Sequence, residues 1–320
     1  MQYLILYGLK QLATVAFGLG KNKKLFILIF HRVLDEPDYM RPGEVDKSRF
    51  TWQMRLLGKY FNVLPLADAL EKMQSNSLPA RAVCITFDDG YSDNYLNALP
   101  ILKQFQLSAT FFIASGYLNG GRMWNDTIIE ALRQYTGLTL DLTKIQLGIF
   151  NTSTKEEKAK TASQIILEIK HLSPEIRAEY TGYISSFVQE LPNNLMLTDE
   201  QLIKLHRSGM EIGGHTVTHP IMAKMPVEKV QQEIDGNQQR LESLLETHIR
   251  FFAYPNGKPG SDYLPEQVQL IEDAGYLGAV STQWGVATKN SDLFQLPRFT
   301  PWDNSPVRFM LRMIKQLVLG

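Results

Sequence analysis

The sequence predicts an α/β protein built on a mostly parallel sheet or barrel, and two observations carry that prediction. Short apolar runs rich in β-branched and aromatic residues recur along the chain, and segments of helical periodicity separate them. Such alternation is typical of parallel strands joined by crossover helices. With 320 residues, 44% of them hydrophobic, the chain is long enough for one large α/β domain with a sizeable core.

Short apolar runs are the predicted strands. In chain order they are LFILIF at Leu25–Phe30, AVCITF at Ala82–Phe87, TFFI at Thr110–Ile113, the residues around Ile212, FFAY at 251–254, and 277–280. In parallel α/β folds the catalytic groups are usually assembled at the carboxyl ends of the strands. The acidic and histidine motifs of this sequence follow such ends, so we expect the functional site there.

Helical periodicity replaces the strand pattern between residues 126 and 200. Segments 154–171 and 176–190 are the predicted helices of this region. We therefore expect a barrel domain over residues 25–303 with a helical insertion at about 126–200 that covers one side of it. A further predicted helix, 227–246, has apolar residues at helical spacing with Glu and Gln between them, which is typical of scaffold.

Both ends of the chain carry apolar segments with interspersed basic residues. Residues 3–19 are interrupted by Lys10 and Gln11 and precede no small-residue cleavage site, so they make a poor signal peptide and a poor membrane span. We expect amphipathic helices over residues 1–24 and 304–320. Each has two open interpretations, peripheral contact with a membrane surface or packing on the protein body. The expected location is the cytoplasm, with membrane association as the open alternative.

Charge and cysteine content argue against several classes of function. The 33 Lys and Arg residues balance 33 Asp and Glu residues, so no net field concentrates nucleic acid over the surface. A nucleic-acid partner is therefore not expected. The single cysteine, Cys84, can form neither an intramolecular disulfide nor a thiolate-rich zinc site. It lies in an apolar run, where we expect it to be a buried filler.

A pair of carboxylates directly follows the second predicted strand, in the run TFDDGY. Two adjacent Asp side chains can point to different partners, and Gly90 after them lets the backbone turn. One carboxylate can then bind a metal ion while the other stays free as a base. Because Asp-Asp-Gly also describes an ordinary turn, Asp88 and Asp89 require support from a second motif.

His215 and His219 supply that second motif, in the run GGHTVTHP. Four residues apart on a helical turn, their rings would face the same side, and neutral imidazoles are good ligands for zinc and similar divalent ions. The alternative is that both rings are structural. Asp88 or Asp89 with the two histidines would give one oxygen and two nitrogens, leaving positions open for water and a substrate oxygen.

The series TFDDG, HTVTH and FFAYPNG resembles the motif series of the polysaccharide deacetylases, carbohydrate esterase family four, over roughly residues 26–303. The resemblance implies an irregular (β/α)7 barrel and a metal-dependent hydrolase that removes N-acetyl groups from amino sugars. It implies that Asp89, His215 and His219 bind one divalent metal ion, zinc first and cobalt or nickel as alternatives. It also implies that Asp88 is the general base.

The run AYPN departs from the family pattern at two positions. The family has an Arg and an aromatic residue where this chain has Ala253 and Asn256. The resemblance then implies the backbone N–H of Asn256, beside Tyr254, as the oxyanion donor. The run LPR that ends at Arg298 resembles a late run of exopolysaccharide-associated members. We hypothesise that Arg298 reaches the base from a neighbouring strand, and the alternative is a surface Arg after a proline turn.

The general acid also departs from the family pattern, because no histidine follows His248, whereas the family usually supplies its acid from a late motif. His31, in the run FHRV after the first strand, resembles the N-terminal motif of circularly permuted members that deacetylate poly-N-acetylglucosamine. An imidazolium near neutral pH is suited to protonating a leaving amine. We hypothesise that His31 is the acid, and the alternative is a buried structural histidine.

Aromatic and amide side chains near these motifs are candidates for a sugar groove, namely Trp124 and Asn125 in MWND, and Tyr91 and Asn94 beside the carboxylates. A Trp is equally often part of a core. The predicted substrate is an N-acetylated exopolysaccharide or its lipid-linked precursor. Two other functions stay open, a catalytically idle carbohydrate-binding relative and a metal-dependent amidase acting on a non-sugar amide.

Overall fold

A computed structural model describes residues 23–319, with side chains up to residue 316. The helix predicted over 1–24 therefore lies almost wholly outside the described residues. The strands of the described chain are β1 Leu25–Phe30, β2 Val33–Leu34, β3 Val45–Asp46, β4 Asn62–Val63, β5 Ala82–Phe87, β6 Thr110–Ile113, β7 Thr139–Asp141, β8 Ile149–Asn151, β9 Glu211–Gly214, β10 Phe251–Ala253, β11 Gly278–Trp284 and β12 Leu296–Arg298. Its α-helices are α1 Lys47–Tyr60, α2 Leu66–Gln74, α3 Leu99–Gln104, α4 Trp124–Gln134, α5 Lys155–Ile169, α6 Pro174–Ser185, α7 Asp199–Arg207, α8 Val227–Leu245, α9 Pro265–Asp273 and α10 Pro306–Leu319.

Seven parallel strands form a barrel in the order β1-β5-β6-β9-β10-β11-β12, and β4 lies beside the start of β5. The two edges of this sheet meet where β1 lies beside the residue that follows β12. There the N–H of Phe299 donates to Ile27 O at 2.8 Å, and the N–H of Ile29 donates to Phe299 O at 3.1 Å. The predicted irregular (β/α)7 barrel is confirmed.

Burial explains why the barrel strands could be identified from apolar runs. Every residue of β1 and of β5 is buried, as expected for strands covered by a packed interior on one face and by helices on the other. Phe87 and Phe111 stack with ring centroids 4.7 Å apart inside this core. Cys84 is a free, buried thiol, as predicted.

The region between β6 and β9 contains the predicted helices, and also elements that the sequence did not predict, namely helices α4 and α7 and the antiparallel hairpin β7–β8. Helix α6 begins earlier than the predicted residue 176, because Ser173 caps its N-terminus and Pro174 is suited to the first helical turn. Helices α4, α5 and α6 share a separate apolar cluster that includes Ile128, Ile165 and Ile184. The insertion thus has a small core of its own beside the barrel.

Helix α10 packs on the barrel through its apolar side. Phe309, Met310 and Met313 are buried in the main core, and the Phe309 and Trp52 rings form an edge-to-face pair with centroids 6.2 Å apart. For these residues the structure shows packing on the protein body, whereas peripheral membrane contact stays a prediction. Within residues 23–319, no helix combines the length and the apolar content needed to cross a bilayer.

Candidate active site

The carboxyl ends of several barrel strands surround one cavity of about 230 Å³. Groups that are far apart in sequence meet there because parallel strands end at the same edge of a barrel. Histidine follows β1, two carboxylates follow β5, and a second histidine follows β9. The lining residues are His31, Glu44, Asp88, Asp89, Tyr91, Asn125, His215, His219, Asn256 and Thr282.

Asp89, His215 and His219 each present one ligand atom, and the three atoms lie within 4.8 Å of one another. Asp89 Oδ1 is 3.3 Å from Nε2 of both histidines. This buried oxygen has no hydrogen-bond partner among the described residues, which is unfavourable unless a cation satisfies it. One carboxylate oxygen and two imidazole nitrogens are a donor set that suits a divalent ion such as zinc, so the residues fit the implied metal.

His215 is oriented by its second ring nitrogen. Nδ1 lies 2.6 Å from the backbone oxygen of Ala253. Because a carbonyl oxygen can only accept, Nδ1 carries the proton and Nε2 keeps a lone pair for a ligand bond. Ala253, which stands where the family has Arg, therefore contributes to the site through its backbone.

A loop brings the two histidines together, so the predicted helical turn is wrong. Thr216 and His219 have positive φ values of 63° and 54°, which no helix contains. The N–H groups of Val217 and Thr218 both donate to Glu233 Oε2, at 2.8 and 2.7 Å. A side-chain acceptor thus replaces the backbone acceptors that a helical turn would use.

Helix α8 holds this loop in place, so the expectation that its polar residues are only scaffold is incomplete. Asn237 is fully buried. Its Oδ1 accepts from the N–H of His215 at 3.2 Å, and its Nδ2 donates to Ile113 O at 2.9 Å. Asn237 occupies a position in the buried apolar stripe of the helix. A polar residue in such a stripe is a sequence signal for a buried hydrogen-bonding role, and this signal could have identified Asn237. The other buried members of the stripe are Val230, Ile234, Leu241 and Leu245.

Asp88 forms a buried, bidentate ion pair with Arg298. Nη1 and Nη2 of the guanidinium each donate to one carboxylate oxygen at 2.7 Å, and Nε donates to Ser281 O at 2.8 Å. Burial by itself would raise the pKa of Asp88, but the Arg298 guanidinium outweighs it and lowers the pKa. Arg298 is 1% exposed, so the alternative of a surface Arg is wrong.

Asp89 and His219 have the protonation states that metal binding requires. Burial raises the pKa of Asp89, but the neighbouring imidazoles, His215 first, bring it well below its ordinary value. Burial lowers the pKa of His219 to about 4, although the charge of Asp89 opposes that shift. A carboxylate and a neutral imidazole at neutral pH are both competent ligands.

His31 and Glu44 form another wall of the cavity. Burial lowers the pKa of His31, but the carboxylates, Asp89 and then Glu44, outweigh burial and raise it. Burial has the opposite effect on the carboxyl group of Glu44, whose pKa it raises. The sequence did not single out Glu44, which lies in the loop before β3 and belongs to no motif. Asn94 donates to His31 O at 2.8 Å and is not among the lining residues, so its predicted place in the groove is wrong.

Three further predicted residues line the cavity. The backbone N–H of Asn256 donates to no described acceptor, while its carbonyl oxygen accepts from Thr282 Oγ1 at 2.7 Å. Asn125 contributes from the first turn of α4. The Tyr91 hydroxyl donates to Asp126 at 2.9 Å, so Tyr91 offers the cavity its ring more than its hydroxyl.

Tyr254 and Trp124 do not line the cavity, so the placement of their rings does not support the prediction that they bind substrate. Tyr254 is fully buried, stacks on Tyr263 with centroids 3.8 Å apart, and donates its hydroxyl to Phe294 O at 2.9 Å. Trp124 packs against the cluster of the insertion, with the Arg177 guanidinium 5.0 Å from its ring centroid. Packing partners inside the protein occupy both rings.

The polysaccharide deacetylase family model matches residues 75–278 of the chain. YxkH of Bacillus subtilis is 21% identical over 278 residues, which are 87% of this chain and 71% of that protein. The poly-beta-1,6-N-acetyl-D-glucosamine N-deacetylase of Staphylococcus aureus is 33% identical over 87 residues, which are 27% of this chain and 30% of that protein.

Solved structures of similar fold span nearly the whole chain. Deacetylase PplD of Streptococcus pyogenes, in complex with acetate, has a TM-score of 0.62 and 19% identity over 92% of this chain and 99% of its own. IcaB from Ammonifex degensii has a TM-score of 0.56 and 19% identity over 92% of this chain and 97% of its own. At such identities the likeness concerns the fold.

Proposed function

This chain belongs to the polysaccharide deacetylase family, and on that premise we propose that it hydrolyses N-acetyl groups of amino sugars in an exopolysaccharide or its precursor. The chain is a polysaccharide deacetylase by its family domain, which covers more than half of it. The observation that carries the finer proposal is the convergence of Asp89, His215 and His219, with the ionised Asp88 beside them.

Poly-N-acetylglucosamine is the substrate class that we propose. A segment of 87 residues is 33% identical to a relative named for deacetylating that polymer. The place of His31 directly after β1, at the wall of the cavity, is consistent with the resemblance to permuted members that act on the same polymer.

Asp89, His215 and His219 would hold the divalent ion, zinc first and cobalt or nickel as alternatives. When bound, such an ion polarises the acetyl carbonyl and acidifies water. The protein prepares this place by keeping Asp89 ionised and His219 neutral, and by fixing the tautomer of His215 through Ala253.

Asp88 takes the proton of the attacking water as the new C–O bond forms. Each carboxylate oxygen has two lone pairs, so the bidentate contact with Arg298 leaves acceptor capacity for water. Arg298 is thus a positioning residue, because it orients the base and keeps it unprotonated.

The oxyanion and the leaving amine require a donor each. We assign the first role to the backbone N–H of Asn256, which no described acceptor engages. We assign the second role to His31, whose raised pKa increases the protonated fraction near neutral pH. As the C–N bond breaks, the imidazolium gives its proton to nitrogen, and the products are acetate and a free amine.

Acetate release from N-acetylglucosamine oligomers tests the proposal. We expect one equivalent of divalent metal in the purified protein, loss of acetate release after chelation, and its return with zinc, cobalt or nickel. Release from N-acetylated amino acids but not from the sugars would instead support an amidase. Stoichiometric metal without hydrolysis of any substrate would support the idle carbohydrate-binding alternative.

A further inference from the structure

A second cavity adjoins the candidate active site, and His31 and Glu44 line both. Its volume of about 240 Å³ nearly equals the 230 Å³ of the first. Gly43 forms part of its wall, and Pro301 and Trp302 form another part. Two adjacent spaces of similar size, with two lining residues in common, suit two similar groups that are joined to each other.

Trp302 is a large aromatic side chain held in place yet open to solvent. It is 55% exposed, although it stacks on Trp284 with centroids 5.3 Å apart and lies 4.8 Å from the Arg312 guanidinium. The turn before it is fixed because Gln53 Nε2 donates to Pro301 O at 2.8 Å. A rigid, exposed ring of this kind gains hydrophobic stabilisation when the apolar face of a ligand covers it.

Glu44 supplies acceptor capacity at the boundary between the two cavities. Among the described residues, its carboxylate accepts one hydrogen bond, from the N–H of Arg32 to Oε2 at 3.3 Å. A carboxyl group has more than one lone-pair site in either protonation state. Glu44 therefore retains acceptor sites for the hydroxyl groups of a sugar.

We propose that the second cavity is a sugar subsite that binds the hexosamine ring next to the one being deacetylated, with Trp302 as its stacking wall and Glu44 as its hydroxyl acceptor. The inference rests on the proposed function, because only a polymer has a neighbouring ring to place there. Because the two cavities share His31 and Glu44 as lining residues, the ring next to the reacting one is the occupant that we propose.

A larger side chain at Gly43, which lines the second cavity, tests the proposal without removing any side-chain contact. An added Cβ at Gly43 meets no atom within 4 Å, and its φ lies outside the left-handed region, so the side chain of Gly43→Leu enters open space. We expect the KM for a β-1,6-linked N-acetylglucosamine tetramer to rise about tenfold, and the hydrolysis of a small activated aryl acetate to stay unchanged. Gly182→Leu is the matched control, because Gly182 in α6 is equally open and lines neither cavity.

Binding gives a second, activity-independent measurement. The chain has four tryptophans, and we expect the tetramer to change the fluorescence of the metal-depleted wild type but not of Trp302→Phe. The subsite would be overturned if Gly43→Leu had the same KM for the tetramer as wild type. It would also be overturned if the tetramer changed the fluorescence of Trp302→Phe as much as that of wild type. A wild type that binds the tetramer through Trp302 but releases no acetate would overturn the proposed function and leave the subsite standing.

Discussion

A cavity with charged walls lies at each end of the barrel. The one at the carboxyl ends of the strands has about 230 Å³ and the one at the amino ends about 570 Å³. Asp68, His206, Glu211 and His248 line the larger cavity, so it also contains groups that can bind metals or transfer protons. Size and residue type alone would favour the amino ends of the strands over the candidate active site.

The two ends differ in how their charged groups are satisfied. Glu211 contacts Arg250 at 2.7 Å and accepts from Thr110 at 2.9 Å. At the other end, Asp89 Oδ1 has no hydrogen-bond partner within the described part of the chain, and two imidazoles converge on it. Between residues 23 and 319 no other group of three His, Cys, Asp or Glu residues converges in this way. Convergent, unsatisfied ligand atoms therefore distinguish the end with the candidate active site from the other end.

The largest expected effect is a loss of activity when an acidic residue at the carboxyl ends of the strands is replaced, compared with one at the amino ends. Asp89→Asn should lower kcat/KM for acetate release on the order of 10³-fold or more, because a bound metal ion supplies several kcal/mol of transition-state stabilisation. The metal content should fall with it. Asp68→Asn, at the other end, is the matched control and should change neither quantity. Full activity and full metal content in Asp89→Asn would break the comparison.

Stability provides the next test, through one ion pair at each end. Arg298→Ala leaves Asp88 charged and buried, and we expect it to lower the free energy of unfolding by about 3–5 kcal/mol. Arg250 is 47% exposed in its side chain, so Arg250→Ala should lower it by only about 0–1 kcal/mol. Denaturant unfolding at neutral pH measures both. Equal losses would contradict the difference in burial.

A smaller effect is expected from the histidines. His31→Gln should lower kcat about 10²-fold, because a positioned general acid contributes about that much or more, while the metal content stays unchanged. His206→Gln replaces a histidine of the larger cavity and should leave kcat as it is. A His31→Gln variant with wild-type kcat would remove His31 from the mechanism.

The smallest effect is a difference in pH dependence. Burial raises the pKa of Glu211, whereas the guanidinium of Arg298 lowers that of Asp88. As pH rises above about 4.5, the unfolded state releases the Glu211 proton before the folded state does. Stability from protonated Glu211 is therefore lost as pH rises through the raised pKa. Urea unfolding from about pH 4 to 7 should show wild type losing stability relative to Glu211→Gln, and a constant difference would contradict this.

Local patterns were sufficient for the barrel because its strands are buried on both faces. LFILIF and AVCITF predict β1 and β5 with their observed bounds, since such strands are continuously apolar. The hairpin β7–β8 could not be predicted, because TLD and IFN are three-residue strands, too short for a periodic signal. Tertiary packing, not local propensity, stabilises that hairpin.

In the candidate site, too, local sequence patterns predict some residues, whereas others depend on tertiary packing. Asp88, Asp89, His215 and His219 stand in compact motifs after strands, so the sequence places them together. Glu44 acts from a loop, and it reaches the cavity only once the barrel is folded. For Tyr254 the sequence shows an aromatic beside a motif, but only packing decides whether such a ring faces substrate or the core.

The backbone bonds of Phe299 that close the barrel lie next to Arg298, which is 210 residues from its partner Asp88. At ribosomal elongation rates of about 5–20 residues per second, Asp88 is synthesised roughly 10–40 s before that guanidinium exists. A nascent chain in this interval lacks the backbone bonds that close the sheet, and Asp88 lacks its guanidinium partner. Hydrolytic capacity should therefore appear only after translation has passed residue 299.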